Sequence, residues 1–163
     1  WILKSSPMEL RTVLWSKFWI NFFFLLMPAE LLIITTNALM SASPFMQWLS
    51  VITMAGMTLG ITSLGMGCGA RFPRFNAENV AQVATGFGGM FYMILAMVFI
   101  ALVVVLEARP VYLFFMAQFR GIPLNGWELA EMGALFAAAV LLNVLVAILP
   151  MRLGLKSLSR LEL

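Results

Sequence analysis

The sequence has no histidine, no aspartate and a single cysteine. Histidine is the usual general base and the commonest metal ligand, so its absence argues against a metal site and against a Ser-His or Cys-His catalytic pair. One cysteine cannot form an internal disulfide. Cys68 lies between two glycines and has no histidine to activate it, so we interpret it as a small packing residue.

Charge is also scarce. Charged residues make up 10% of the chain and hydrophobic residues 63%, whereas a soluble domain carries about a quarter charged residues. The mean hydropathy is +1.00. These values predict an all-α fold, a polytopic transmembrane helical bundle that occupies residues 1–163 as a single transmembrane domain. Because the chain starts at Trp1, we expect it to be a fragment of a longer polypeptide.

Four apolar stretches are long enough to cross a bilayer, at about 18–40, 45–67, 86–106 and 127–149. Each covers roughly 30 Å as a helix. Arg109 and Arg120 lie on one side of these spans, and the other eight of the ten basic residues lie on the opposite side: Lys4, Arg11, Lys17, Arg71, Arg74, Arg152, Lys156 and Arg160. The positive-inside rule therefore predicts that both ends of the chain are cytoplasmic and that the uncharged loop "SASP" faces out.

The connection at residues 108–126, between the third and fourth spans, is apolar. Pro110, Gly121 and Pro123 are expected to break it, and the apolar run from Val111 to Phe119 is too short to span a bilayer. Two interpretations stay open. The segment is either re-entrant or interfacial, dipping back into the membrane from outside, or it is an ordinary aromatic belt at the outer surface.

The chain opens with a predicted amphipathic helix at residues 5–17. Ser6 and Glu9 have the spacing of a capping box, and Pro7 stands at the first helical position. The apolar residues that follow share one helical face. This helix either docks against a partner or only anchors the chain on the cytoplasmic membrane surface.

Two stretches carry a resemblance to a known family. "LKSSPMELRTVLWSKFW" resembles the segment before the third membrane helix of type-2 ABC exporter permeases, and "GARFPRFNAENVAQVATGFGGMFYMI" resembles a stretch of bacterial permeases of that class. The resemblance covers nearly the whole chain, but the initial membrane helices of the family are missing. It implies a coupling helix that sits in a groove of a separate ABC ATPase subunit and is formed by Ser6, Pro7, Glu9, Leu10 and Arg11.

The resemblance also implies a function. The chain would be the transmembrane permease subunit of an ATP-driven exporter in the bacterial inner membrane, paired with a second permease copy or a paralogue, in contact with membrane lipids and without a nucleic-acid partner. ATP would close the ATPase subunits, and the coupling helices would move with them. The spans would then rock to open an outward path for a hydrophobic or amphipathic substrate.

The sequence contains no G-x-x-x-x-G-K-[ST] motif. We therefore expect the chain to bind no cofactor and not to be an enzyme, with ATP and Mg²⁺ held by the partner subunit. Two alternatives stay open, a membrane assembly or scaffold protein and an intramembrane enzyme. The enzyme is disfavoured because Glu30 has no second acid at mid-membrane to pair with.

A polar stretch at residues 68–89 interrupts the apolar sequence. Arg71 and Arg74 are predicted to mark the cytoplasmic face, while Asn76 caps the next helix and Glu78 lies in its first turn. Topology and helix capping explain this polarity, or else Arg71, Arg74 and Glu78 form a second contact with the ATPase.

Glu30, Asn37 and Asn143 are polar residues that fall inside the predicted spans. A charge at mid-bilayer costs about 2.5 to 3.5 kcal/mol, so Glu30 needs a partner, a cavity or a proton. The three residues either line a polar seam along a substrate path or hold the bundle together by interhelical hydrogen bonds.

Small residues recur at helical spacing in the second span. Gly56 with Gly60, and Gly65 with Gly69, each form a G-x-x-x-G pair. Such pairs allow two helix backbones to approach closely where no hydrophobic effect drives their association, so we predict helix packing at these positions.

The substitution Glu30→Gln tests the substrate-path hypothesis, because it removes the charge and keeps the size of the side chain. If Glu30 lines the path, transport measured in vesicles should fall several-fold and its pH dependence should change. Unchanged transport with an unchanged pH profile would leave Glu30 as a packing residue.

Overall fold

The computed structural model describes residues 10–71, 86–121 and 124–159. Within these ranges the backbone forms no strand and four α-helices: α1 (Leu10–Leu39), α2 (Pro44–Arg71), α3 (Phe87–Arg120) and α4 (Gly126–Ser159). Each helix contains a segment long and apolar enough to cross a membrane: Leu14–Leu39, Pro44–Arg71, Phe87–Arg120 and Gly126–Gly154. The predicted all-α helical bundle is confirmed, and each helix is longer than the span predicted on it.

Most of the predicted ATPase-contacting residues lie outside the described residues, namely Ser6, Pro7, Glu9, Arg74 and Glu78, as does the predicted cap Asn76. Leu10 and Arg11 are the first two residues of α1. This helix continues without interruption into the first predicted span, so the described part of the amphipathic segment and the span share one helix.

A short turn at residues 40–43 joins α1 to α2. Ser41 adopts a φ of 49° there. The hydroxyl of Ser43 accepts a hydrogen bond from the backbone N–H of Met46 at 3.4 Å, and Pro44 is the first residue of α2. A serine cap followed by proline is a favoured start for a helix. The turn is tight enough to make α1 and α2 antiparallel neighbours.

The third helix runs through Pro110, so the break expected in residues 108–126 does not occur there. α3 has 34 residues, about 51 Å at 1.5 Å per residue, which is longer than the hydrocarbon core. Proline forfeits one backbone hydrogen bond, but Pro110 is buried and neighbouring helices compensate such a loss in membrane proteins. α3 is one continuous helix, so the chain does not turn back before Val111. The re-entrant interpretation therefore does not hold for the part of the segment that ends at Arg120.

The part of α3 that follows Pro110, its extension, is positioned by aromatic contacts. Phe114 stacks on Phe45, near the start of α2, with ring centroids 4.0 Å apart. Phe45 also meets Phe136 of α4 edge to face at 6.4 Å. Aromatic pairs at these distances stabilise their contacts by about 0.5 to 1.5 kcal/mol beyond the apolar area that they bury. The extension is therefore held against the bundle.

Local capping explains the ends of the last two helices. α3 ends at Gly121, whose φ of 62° is a left-handed conformation that glycine adopts without strain. α4 begins after Asn125, whose backbone N–H donates to the Glu128 carboxylate at 2.9 Å. This is the backward half of a capping box. Glu128 also lies in the first turn of α4, where the helix dipole favours an acid.

The helix α2 packs against each of the other three helices. It runs antiparallel to α3, because Thr53 pairs with Glu107 while the later Gly65 faces the earlier Tyr92. It runs parallel to α4, since Gly56 faces Asn143 and the later Gly67 faces Pro150. The helices therefore alternate in direction along the chain, with α2 central.

Close contact between α2 and α4 depends on glycine. A Cβ atom added to Gly67 would lie 2.5 Å from the carbonyl oxygen of Pro150 and 2.6 Å from its Cβ. A Cβ added to Gly154 would lie 3.1 Å from the Cβ of Ala70. The two backbones approach here as closely as small residues allow, the mode of association typical of membrane helices.

Threonines let α2 carry polar side chains in the interior of the bundle. The hydroxyls of Thr58 and Thr62 each donate to a carbonyl one turn earlier in the same helix, both at 2.8 Å. Both residues are buried. Since their hydroxyls are satisfied within the helix, burying them costs little.

The outer surface of the bundle is apolar. Phe24, Leu39 and Trp127 are 78%, 83% and 80% exposed. Soluble monomers rarely expose apolar surface on this scale. A surface of this kind fits contact with lipid, as the four apolar helices predict.

The glycine contact predicts a pair of matched variants. Gly67→Ala should destabilise the chain by about 1 to 3 kcal/mol, because the new methyl group would force α4 away from α2. The measurement is the unfolding of the purified chain in mixed detergent micelles with increasing SDS. Gly69→Ala is the control, since a Cβ there would meet nothing within 4 Å and alanine is the better helix former. Equal stability of the two variants would contradict the close contact.

Candidate functional site

A cavity of about 620 Å³ lies between α2 and α4. Residues between 49 and 59 of α2 and between 136 and 148 of α4 form its two long walls, and Phe22 of α1 and Glu107 of α3 complete it. The walls are mostly leucine, isoleucine, valine, alanine and phenylalanine. Its size falls in the range of small-molecule sites, about 300 to 1,000 Å³.

The cavity opens at the side of the bundle. Ile52, Val140, Val144 and Ile148 line it, and each is also exposed at the surface, by 44% to 62%. The cavity is therefore a cleft with an apolar rim that faces the same surroundings as the outer surface of the helices.

Glu107 supplies the charged group of the cavity. Both of its carboxylate oxygens face the hydroxyl of Thr53, at 2.8 and 2.9 Å. The two residues belong to different helices, and both line the cavity. A hydroxyl has one proton to donate, so the carboxylate keeps free lone pairs for a further donor.

Asn143 supplies a second acceptor. Its Nδ2 donates to the carbonyl of Ala139, one turn earlier, at 2.9 Å. Its Oδ1 is buried and has no hydrogen-bond partner among the described residues. Gly56 makes room for it, because a Cβ at Gly56 would lie 3.0 Å from that oxygen. An unpaired buried acceptor costs about 1 to 3 kcal/mol, a cost that a ligand with a donor would relieve.

Only one of the three predicted path residues lines this cavity, namely Asn143. Asn37 instead donates to the hydroxyl of Ser50 on α2, at 2.6 Å, and so acts as an interhelical link. Glu30 lies in α1 two residues after Pro28. Both of its carboxylate oxygens are buried with no hydrogen-bond partner among the described residues. The structure does not bring the three residues together into one lined seam.

The glycines predicted to pack differ in their surroundings. A Cβ atom added to Gly60 would lie 2.6 Å from the ring of Phe99, and a Cβ atom added to Gly65 would lie 3.5 Å from the ring of Tyr92. Gly69 faces no described atom within 4 Å. Cys68 is buried in α2, in keeping with a packing residue.

The basic residues of the described chain mark the two ends of the bundle. Phe18 and Met151 are buried against each other, which places the start of α1 beside the end of α4. Lys17, Arg71 and Arg152 therefore lie at one end, and all three are exposed. At the other end Arg109 pairs with Glu131 of α4 at 3.1 Å. This pair is largely exposed and adds at most about 1 kcal/mol to stability.

Sequence analysis missed Thr53 and Glu107. Glu107 stands three residues before Pro110, just past the end of the predicted third span at about residue 106, so it was not counted among the intramembrane polar residues. The continuous apolar run on both sides of residues 107–110 was the available signal, because proline is tolerated inside membrane helices. Thr53 had no such signal, since its pairing depends on how α3 sits against α2. In the described residues no group of three His, Cys, Asp or Glu side chains could hold a metal ion.

Comparison with known proteins gives one match. A family model described as "Putative ATP-binding cassette" matches residues 1–163, which is the whole chain. No curated protein matches the chain, and no solved structure matches it.

The pairing of Thr53 with Glu107 predicts an effect on stability. Thr53→Val should cost about 1 to 2 kcal/mol in the same SDS unfolding assay, because the carboxylate loses its donor. Thr62→Val is the control, since the hydroxyl of Thr62 donates only within its own helix. A double-mutant cycle with Glu107→Leu should show that the two losses are not additive. Additive losses would mean that the two side chains do not interact.

Proposed function

The chain belongs to this ATP-binding cassette family, and on that premise we propose that it is the transmembrane permease subunit of an ATP-driven exporter. The observation that carries the proposal is the combination of a family match over residues 1–163 with four helices long and apolar enough to cross a membrane. An ABC transporter needs a membrane-embedded path as well as ATPase subunits, and this chain has the composition for the path.

The family description names an ATP-binding cassette, so the question is whether this chain or a partner subunit binds ATP. A nucleotide-binding subunit of the P-loop type cradles phosphates with G-x-x-x-x-G-K-[ST] between a strand and a helix. The sequence has no such motif, and the described residues contain no strand. We infer that ATP and Mg²⁺ bind to a separate ABC ATPase subunit and that this chain is not itself an enzyme.

The end of the bundle that carries Lys17, Arg71 and Arg152 is the proposed cytoplasmic face, following the positive-inside rule. Both ends of the chain would then be cytoplasmic, in a bacterial inner membrane. The start of α1, with Leu10 and Arg11, continues the proposed coupling segment Ser6, Pro7 and Glu9. Arg71 ends α2 at the same face, where it and the nearby Arg74 and Glu78 would form the second ATPase contact.

The cleft between α2 and α4 is the proposed substrate site. Its apolar walls suit a hydrophobic or amphipathic molecule, and its opening at the side of the bundle would admit such a molecule from the lipid. ATP-driven movement at the coupling segment would reach the cleft through α1, since Phe22 lines it. A second permease copy or a paralogue would complete the path.

Co-purification tests this function. The full chain, purified from the membranes of its own host, should retain an ABC ATPase subunit through purification, and reconstitution of the two in lipid should stimulate ATP turnover. Replacing Arg71 and Arg74 by glutamate should weaken the association by about tenfold or more, because both charges at the contact reverse.

Arg120→Glu is the matched control, because Arg120 lies in the last turn of α3, at the opposite end of the bundle. It should leave the association unchanged. If no ATPase co-purifies, or if its turnover is not stimulated, the chain is better described as a membrane scaffold. If the variant with glutamate at both Arg71 and Arg74 still assembles normally with the ATPase, the stretch that carries these two arginines is only a turn between two spans.

A further inference from the structure

We propose that the cleft between α2 and α4 binds a single-chain amphiphile with a protonated amine head group. Its tail would lie along the apolar walls, and its head would donate hydrogen bonds to Glu107 and Asn143. The role of this molecule as the transported substrate rests on the proposed function. Its chemical class is argued from the cleft alone.

The polar atoms that the cleft offers to a ligand are acceptors. Glu107 accepts a hydrogen bond from the hydroxyl of Thr53, which leaves most of its acceptor capacity free. The Oδ1 of Asn143 is buried and has no hydrogen-bond partner in the part of the chain that the structure describes, and its Nδ2 already donates to the carbonyl of Ala139. A head group that only accepts hydrogen bonds, such as a carboxylate or a phosphate, would therefore meet acceptors and a like charge.

The charge of Glu107 has no ionic partner among the described residues. The nearest basic residue along α3, Arg109, is held by Glu131. Residues two apart on a helix do not face each other, so Arg109 points away from Glu107. A charge in apolar surroundings without a partner is costly, and a ligand cation would neutralise it. A protonated amine supplies both the positive charge and three donors.

The arrangement of the two acceptors suits a single small head group. Thr53 contacts Glu107, and Gly56 faces Asn143. Thr53 and Gly56 are three residues apart in α2, so they lie on the same face of that helix. The rest of the cleft is apolar, and its volume of about 620 Å³ leaves room for an alkyl chain beside the head.

Equilibrium binding of three probes with the same tail tests the proposal. The full chain, in phosphatidylcholine nanodiscs at pH 7, is dialysed against labelled dodecylamine, dodecanol or dodecanoate, and binding to protein-free nanodiscs is subtracted. An alkylamine is protonated at this pH, since its pKa resembles that of lysine. Dodecylamine should bind about tenfold more tightly than dodecanol, and dodecanoate most weakly. Equal affinity for the amine and the alcohol would overturn the proposal.

Variants of the chain test which residues cause the preference for dodecylamine over dodecanol. Glu107→Gln should lower the affinity for dodecylamine by about tenfold, with the affinity for dodecanol changed less than about twofold. Glu107→Asp keeps the charge and should keep the preference, which guards against a folding defect in the glutamine variant. Glu128→Gln removes an acid outside the cleft, keeps an acceptor for the backbone N–H of Asn125, and should leave the binding of all three probes unchanged. Val144→Trp should weaken the binding of all three probes by filling the rim. An amine preference that survives Glu107→Gln would place the amine elsewhere and overturn the proposal.

The two proposals fail separately. If the ATPase associates with the chain but the amine has no advantage over the alcohol, the ligand class is wrong and the permease role stands. If the amine is preferred through Glu107 but no ATPase associates, the cleft binds cationic amphiphiles in a protein that is not a permease subunit.

Discussion

The structure depends on the backbone contact between α2 and α4 at Gly67, Pro150 and Gly154. In lipid no hydrophobic effect drives two apolar helices together, so close packing and interhelical hydrogen bonds must do so. Gly67 lets the two helices meet at a distance that no other residue would permit. The cleft lies beside this contact, on the side away from Lys17, Arg71 and Arg152, between residues 49–59 of α2 and 136–148 of α4, so its walls are held in place from one end.

The polar residues of the cleft serve stability and the proposed binding alike. Thr53 and Glu107 join α2 to α3, while one oxygen of Asn143 on α4 has no hydrogen-bond partner among the described residues. A bundle optimised only for stability would satisfy that oxygen or replace it by carbon. Structural proteins tolerate few such groups, and functional sites hold more of them. The same few atoms therefore brace the wall of the cleft and would give it the proposed preference for a donor head group.

The sequence predicted those features of the fold that follow from composition and charge. Hydropathy places four membrane-length helices, and the basic residues Lys17, Arg71 and Arg152 fall at one end of the bundle. Prediction from the sequence failed where contacts with neighbouring helices determine the structure. Pro110 reads as a break in isolation, yet burial and the stacking of Phe114 on Phe45 carry α3 past it. Glu107 was missed for the same reason, and of Glu30, Asn37 and Asn143 only Asn143 lines the cleft.

The parallel alignment of α2 and α4 has a consequence for biosynthesis. Parallel neighbours cannot be joined by a short turn, so a whole further helix must emerge from the ribosome between them. Until α4 enters the membrane, Gly56 and Gly67 of α2 lack the helix that they face in the finished bundle. α1 and α2 can enter as a hairpin, but the bundle closes only when its last helix arrives. A nascent chain halted before α4 would thus have the helix α2 in the membrane without the close backbone contact at Gly67 on which the bundle depends.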